Sequence, residues 1–178
     1  ISHFCSPPTH EIMKTVILLR HAKSSWDNPA SSDFQRPLNS RGIRDAPRIG
    51  AWIAEQGIKP DWVLCSAATR AQETLARLQT TLDLGVNITI TDHLYLAPPT
   101  TVVELLSQAD DSAKCSLVIA HNPGMEGLLW GLCGTDNSMP TCALAVIELP
   151  IDSWLATDLN CQGTLQHYIT PRELPNSR

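Results

Sequence analysis

Val16-Ile17-Leu18-Leu19-Arg20-His21-Ala22-Lys23-Ser24 decides how this chain is read. A run of apolar, partly β-branched residues matches a strand buried on both faces, and it stops abruptly at Arg-His. Open α/β sheets bind ligands beyond the carboxyl ends of their strands, so this reading sets a guanidinium and an imidazole at such an edge. Leu117-Val118-Ile119-Ala120-His121-Asn122-Pro123 repeats the pattern of apolar strand, histidine and loop. Between them, Trp62-Val63-Leu64-Cys65-Ser66 runs directly into Ala67-Ala68-Thr69-Arg70-Ala71-Gln72-Glu73-Thr74. Each piece alone has an ordinary explanation: a solvated loop, a core histidine, a snorkelling arginine. Arg70, however, falls in the first turn of a helix, at the positive end of its dipole, where stability gives no reason for a cation. Recurrence at three strand ends points to an anion pocket containing two histidines.

The remaining chain alternates strands and helices. Lys14 to Arg20 reads as the first strand, and Ala22 to Leu38 as a polar loop of functional length that includes Trp26. A helix capped by Asn39 or Ser40 runs to about Gln56 and stops at Gly57. Pro47 inside it predicts a kink or a late start, because proline lacks the backbone donor. Strands follow at Asp61 to Ser66, Asn87 to Thr91, Cys115 to Ala120, Cys142 to Leu149 and Thr164 to Ile169, the last two completing one edge of the sheet. Helices are expected at Ala67 to Leu82, Pro99 to Ala109 and Gly124 to Leu132. This order predicts an α/β fold: one three-layer domain over residues 13–178, with a mostly parallel open sheet and helices on both faces. Residues 1–12 show two adjacent prolines and no periodicity, and Met13 directly precedes the first strand. They are expected to be a disordered or appended extension.

At 178 residues and 43% hydrophobic, the chain can bury a substantial single core. A net charge of −5 with no basic stripe argues against a nucleic-acid partner. No run is long enough to span a membrane and no secretory signal is evident, so a cytoplasmic location is expected. The six cysteines show no Cys-x-x-Cys and no pairing with histidine at metal-ligand spacing, so neither a zinc site nor a disulfide framework is expected. No metal or other cofactor is expected. Oligomeric state is not readable.

The residues quoted above resemble the histidine phosphatase superfamily, whose signature is Arg-His-Gly after the first strand. The likeness is greatest to the SixA-type phosphohistidine phosphatases, and the fold it implies is phosphoglycerate mutase-like. It rests on Leu19-Arg20-His21-Ala22, Asp33-Phe34-Gln35-Arg36-Pro37-Leu38, Val63-Leu64-Cys65-Ser66 with Arg70-Ala71-Gln72-Glu73-Thr74, Leu94-Tyr95-Leu96-Ala97, and Val118 to Pro123. Two departures are Ala22 in place of the usual Gly and Ala67 in place of a common Pro. The resemblance implies that His21 attacks phosphorus and forms a phosphohistidine intermediate that water hydrolyses. Arg20, Arg70 and His121 would hold the phosphate oxygens, Asn122 would add a backbone N–H, and Ser66, Lys23, Ser24 and Arg36 would surround them. A neutral imidazole suits that role near neutral pH, and arginine suits multidentate anion recognition.

The proton donor is open. Asp92, in Ile90-Thr91-Asp92-His93-Leu94-Tyr95, is the best-placed acid by resemblance, but an aspartate before a loop is also an ordinary turn former. Glu104 is the alternative. A weak acid favours a P–N over a P–O bond, since a leaving nitrogen can already carry a proton. The expected substrate is therefore a phosphohistidine-bearing protein. A small phosphorylated molecule cleaved by a phosphomonoesterase of the same superfamily is the alternative, followed by a non-catalytic phosphate-binding module.

Overall fold

Alternating burial along the first strand generates the layers of the fold. In the computed structural model, which describes residues 13–85, 87–160 and 162–175, β1 (Lys14–Arg20) sends Val16 and Leu18 to one face and Ile17 and Leu19 to the other, and all four are fully buried. The proposed 1–12 extension lies outside the described residues.

Ten main elements follow in chain order: β1, α1 (Ser40–Glu55), β2 (Trp62–Ser66), α2 (Thr69–Leu78), β3 (Ile88–Thr91), α3 (Pro99–Leu106), β4 (Cys115–Ala120), α4 (Gly124–Cys133), β5 (Leu144–Leu149) and β6 (Thr164–Ile169). The strands form one sheet in the order β3-β2-β4-β1-β5-β6. β1 to β4 are mutually parallel where they pair, whereas β5 runs antiparallel to β1 and β6 antiparallel to β5. Helices α1 and α2 pack Ile49, Ile53, Leu75 and Leu78 on the face of Ile17 and Leu19. Helices α3 and α4 cover the opposite face with Val102, Leu106, Leu128 and Leu132. This is the expected three-layer α/β domain, with its mixed edge where the last two strands were placed.

Adjacent strands β1 and β4 are thus followed by helices on opposite faces. That divergence opens a crevice at their carboxyl ends, the topological switch point of the sheet. His21 follows β1 and His121 follows β4.

Several boundaries differ from the sequence expectation for local reasons. Helix α1 begins at Ser40, with the Asn39 side chain capping Gly42 N–H at 3.0 Å, so Pro47 does not delay it. The Ile43 carbonyl, which loses its amide partner to Pro47, belongs to a residue exposed to water. Helix α2 ends four residues short of Leu82. There the Thr80 and Thr81 hydroxyls take the Arg77 and Leu78 carbonyls, and the chain tightens into i,i+3 turns. Helix α3 ends at Leu106 rather than Ala109, with Ser107 hydroxyl on the Glu104 carbonyl. Strand β5 begins at Leu144 because Cys142 takes a left-handed φ of 64° and turns its N–H onto the carbonyls of Arg20 and His21.

Candidate active site

His21 leaves β1 still paired to its neighbour, its N–H on the Ala120 carbonyl at 3.1 Å. Its ring is buried, and Nδ1 lies 2.8 Å from the Ala22 carbonyl. A carbonyl only accepts, so Nδ1 carries the proton of the neutral ring and the lone pair sits on Nε2. Burial first, then the neighbouring His121 and the positive charges of Arg70 and Arg20, push this imidazole down to about 3, despite the Ala22 hydrogen bond. The ring is neutral at physiological pH, with a fixed tautomer. Ala22 has no left-handed backbone, so its replacement of glycine is accommodated.

Three cationic or donor groups surround that lone pair. Arg70, in the first turn of α2, is buried and points Nε at His21 Nε2, 3.2 Å away. Arg20 anchors Nη1 on the Met139 carbonyl at 2.8 Å, and its Nε is buried with no protein partner. His121 stacks at a tilt 5.0 Å from the His21 ring. Its Nε2 meets the Ser66 hydroxyl at 2.7 Å, while its Nδ1 is buried without a partner. With the Ser66 O–H donating to Nε2, Nδ1 is left as an N–H donor. Burial, Arg70 and Arg20 hold His121 down to about 4, against the pull of Asp33. Two buried donors without protein acceptors, Arg20 Nε and His121 Nδ1, beside the Arg70 guanidinium, make a receptor for a tetrahedral oxyanion.

The α1 end of the site is braced by close backbone packing. A β-carbon at Gly42 would collide with the Lys23 carbonyl, which also accepts Asn39 N–H at 2.9 Å. Helix α1 therefore sits directly on the turn that follows His21. Ser24 is buried and takes Arg36 Nη2 at 2.6 Å, and Arg36 Nη1 reaches the Asp33 carboxylate at 2.8 Å. The Arg36 guanidinium also covers the Trp26 ring, 3.2 Å from its centroid. Arg36 and Ser24 support the site from behind. Lys23 is exposed, and Asn122 turns its side chain away, donating Nδ2 to Glu126 at 2.8 Å and to the Met139 carbonyl at 3.0 Å.

Asp92 does not join this group. It is exposed in the 3-10 turn after β3, at the sheet edge, and its carbonyl caps Tyr95 N–H. The same 3-10 turn after edge strand β3 delivers Tyr95 to the site while leaving Asp92 exposed. Glu104 is exposed on α3. Two carboxylates that sequence reading missed stand at the site: Glu126, which accepts Asn122 Nδ2 and Met139 N–H at 2.8 and 2.7 Å, and Asp33, whose segment was singled out and which touches Arg70 directly. Asp33 accepts Tyr95 O–H at 2.6 Å, Arg36 at 2.8 Å and Arg70 at 3.0 Å. The Tyr95 bond, then Arg36 and Arg70, hold its carboxyl far below the usual carboxylate range. Asp33 is an anion at any working pH and no proton donor. Tyr95 closes the ring of contacts, edge-on to His121 at 5.5 Å. Among the described residues, no group of three His, Cys, Asp or Glu side chains is placed to hold a metal ion, and no helix is long and apolar enough to cross a membrane.

Known proteins resemble this chain in sequence and fold. Residues 16–95 match the family described as the histidine phosphatase superfamily, branch 1. An uncharacterized protein of Mycobacterium tuberculosis is 33% identical over 162 residues, covering 85% of this chain and 99% of its own. Phosphohistidine phosphatase SixA of Escherichia coli is 28% identical over 163 residues, covering 89% and 95%. Among solved structures, the candidate phosphohistidine phosphatase SixA from Agrobacterium tumefaciens is 30% identical, with a TM-score of 0.76 over 89% of this chain and 98% of that one.

Proposed function

The chain belongs to the histidine phosphatase superfamily, and on that premise we propose that it hydrolyses protein phosphohistidine through a covalent phosphohistidine intermediate on His21. One observation carries this reading: a neutral imidazole with its lone pair on Nε2, ringed by Arg20, Arg70 and His121. In the first step Nε2 attacks phosphorus in line, a P–Nε2 bond forms, and the substrate P–N bond breaks. The leaving imidazole departs neutral, having carried or gained one proton. In the second step water attacks phosphorus, the P–Nε2 bond breaks and returns its electron pair to Nε2, the water proton passes to solvent, and inorganic phosphate leaves. Arg20, Arg70 and the His121 Nδ1–H hold the equatorial oxygens throughout, so charge stabilisation rather than covalent chemistry supplies most of the acceleration. A bound dianion raises the pKa of His121 and strengthens that contact.

The identity of the leaving group follows from the acids. Asp33 is locked as an anion, and Asp92 and Glu104 are exposed outside the contact network. A site rich in cations, whose carboxylate against Arg70 is held as an anion, suits a leaving nitrogen better than an alkoxide. The E. coli relative carries the name phosphohistidine phosphatase, which agrees. Unpaired thiols at Cys65, Cys115, Cys133 and Cys142 fit a reducing, cytoplasmic setting.

The deciding experiment compares wild type with His21→Ala on a phosphohistidine-bearing protein and on a phosphate monoester. Wild type is expected to release phosphate from the former much faster and to trap an acid-labile phosphoenzyme on rapid quenching. His21→Ala should do neither while still binding phosphate. Near-wild-type turnover by His21→Ala would overturn the assignment. Faster turnover of the ester would return the small-molecule reading, and phosphate binding with no turnover of either would return the binding module.

A further inference from the structure

A second cationic cavity lies on the same edge of the sheet as His21. Its volume is about 640 Å³, and the guanidinium groups of Arg41, Arg44, Arg48 and Arg172 line it. Asp45, buried at the back, pairs with the first three at 3.6, 2.9 and 3.2 Å. Four arginines and one carboxylate, Asp45, therefore line the cavity, with Glu173 beside it accepting Thr170 N–H and O–H at 2.7 and 2.8 Å, in a protein whose net charge is −5. The fold needs one of these arginines to neutralise Asp45. Arg48 also has a structural task, holding the Leu174 and Pro175 carbonyls at 2.9 and 3.1 Å, whereas Arg44 and Arg172 are solvent-exposed, and clustering like charges costs stability unless an anion offsets it.

The position is as informative as the charge. Helix α1 starts, β5 starts and β6 ends at the carboxyl edge of β1, because β5 is antiparallel to β1 and β6 to β5. Arg20 N–H bonds the Ala143 carbonyl, and Leu144 pairs Ile169, so Thr170 in the cavity wall is two strands across from Arg20. At the usual inter-strand spacing that is about 10 Å. The segment from Ser138 to Thr141 forms the partition. Its Ser138, Pro140 and Thr141 line the cavity, while the Met139 carbonyl between them holds Arg20 and Asn122 on the other side. Arg41 Nη2 meets Thr141 Oγ1 at 3.4 Å.

We propose that this cavity binds a second anionic group, a carboxylate or a phosphate, carried by the molecule whose phosphoryl group enters the His21 site. The proposal rests on the phosphohistidine reading above. On a protein substrate, the second anion is an acidic side chain about three extended residues from the phosphohistidine, since each spans about 3.3 Å. The cavity selects among phosphohistidine proteins by the acidity of that flank, and it draws an acidic partner to one patch of an enzyme whose overall charge repels it.

The test uses two synthetic phosphohistidine peptides, one with Glu at the third position on either side and one with Ala there. Arg44→Gln/Arg172→Gln is the variant, because both side chains are solvent-exposed, Arg44 at 64%, and Arg41 and Arg48 still pair with Asp45. For wild type, kcat/KM should be roughly tenfold higher for the Glu peptide, a KM effect of the size expected for a charge-assisted contact. The variant should lose that advantage and keep wild-type turnover of the Ala peptide. Equal rates for the two peptides on wild type, or equal slowing of both by the variant, would overturn the proposal. If wild type cleaves neither peptide, the phosphohistidine reading fails, and calorimetry with inorganic phosphate decides the cavity separately. Two equivalents on wild type with one lost in the variant sustain an anion site, whereas one equivalent untouched by the substitutions removes it.

Discussion

Arg70 is tied twice to Asp33, through Nη2 to the carboxylate at 3.0 Å and through Nη1 to the backbone carbonyl at 2.5 Å, although 37 residues separate the two. With two corners of the guanidinium fixed, the third nitrogen, Nε, can only face His21. The polar loop after β1 therefore aims the arginine of α2.

Asp33→Asn should expose that dependence. An amide presents one oxygen and one NH2 to a set of three donors, so at least one of Tyr95, Arg36 and Arg70 loses its acceptor. A lost charge-assisted bond costs about 1.5–3 kcal/mol, or roughly ten- to a hundredfold in kcat/KM at about 1.4 kcal/mol per decade. Asp92→Asn should stay within about twofold of wild type, well short of the roughly 10²–10⁴ that a general acid contributes. Steady-state kinetics on a phosphohistidine peptide and on a phosphate ester measure both. A loss of several hundredfold on the ester for Asp92→Asn would restore it as the acid.

The two histidines couple stability to pH. Both are held below the ordinary histidine range in the folded protein, to about 3 and about 4, and regain about 6.5 when unfolded. Between those values the unfolded chain binds more protons, so stability is complete above pH 6.5 and declines as pH falls toward 4. Each group contributes a slope of about 1.4 kcal/mol per pH unit in the middle of that window. Denaturant unfolding between pH 4.5 and 7 should show this slope. His121→Asn should reduce the proton uptake on unfolding at pH 5 by about one. An unchanged uptake would mean that His121 is already charged in the folded state.

Strands β1 and β4 were legible because a buried parallel sheet writes itself as continuous apolar runs, and both fall at the expected boundaries; β6, an antiparallel edge strand with a mostly exposed face, also does. His21, His121, Arg20 and Arg70 were legible because polar groups at strand ends have few reasons to be there. Asp33 and Tyr95 were not, since each lies in an irregular segment and acquires its meaning only from the other. Asp92 shows the converse. Its sequence position after a strand suggested a site, but the 3-10 turn there directs Tyr95 inward and Asp92 to solvent, a choice that the sequence does not display. Helix ends at Leu78 and Leu106 moved because serine and threonine hydroxyls competed for the last carbonyls, a contest decided by a few tenths of a kcal/mol.

Chelation should leave turnover unchanged. The groups around His21 are a second imidazole and two arginines, and the arginines already supply the charge that a divalent ion would bring. Their electrostatic field repels cations. Activity after exhaustive dialysis against a chelator, compared with activity after adding back magnesium or zinc, measures this. Loss followed by metal-dependent recovery would contradict the arginine-only charge balance.

Ser66→Ala tests whether the tautomer of His121 matters. Ser66 ends β2 fully buried, accepts Ala68 N–H at 3.3 Å and faces His121 Nε2 at 2.7 Å. Removing the hydroxyl leaves two buried polar groups unpaired, at about 1–3 kcal/mol for the pair partner left behind. It also frees the ring to move its proton from Nδ1 to Nε2, so that the nitrogen without a protein partner becomes an acceptor and repels a phosphate oxygen. The expected result is a roughly tenfold or greater fall in kcat/KM, together with weaker inhibition by inorganic phosphate. Ser66→Thr keeps the hydroxyl and should recover phosphate affinity even if the extra methyl lowers stability. A Ser66→Ala enzyme that melts earlier but binds phosphate as tightly as wild type would assign the serine to packing and leave the orientation of His121 to the ring contact with Tyr95.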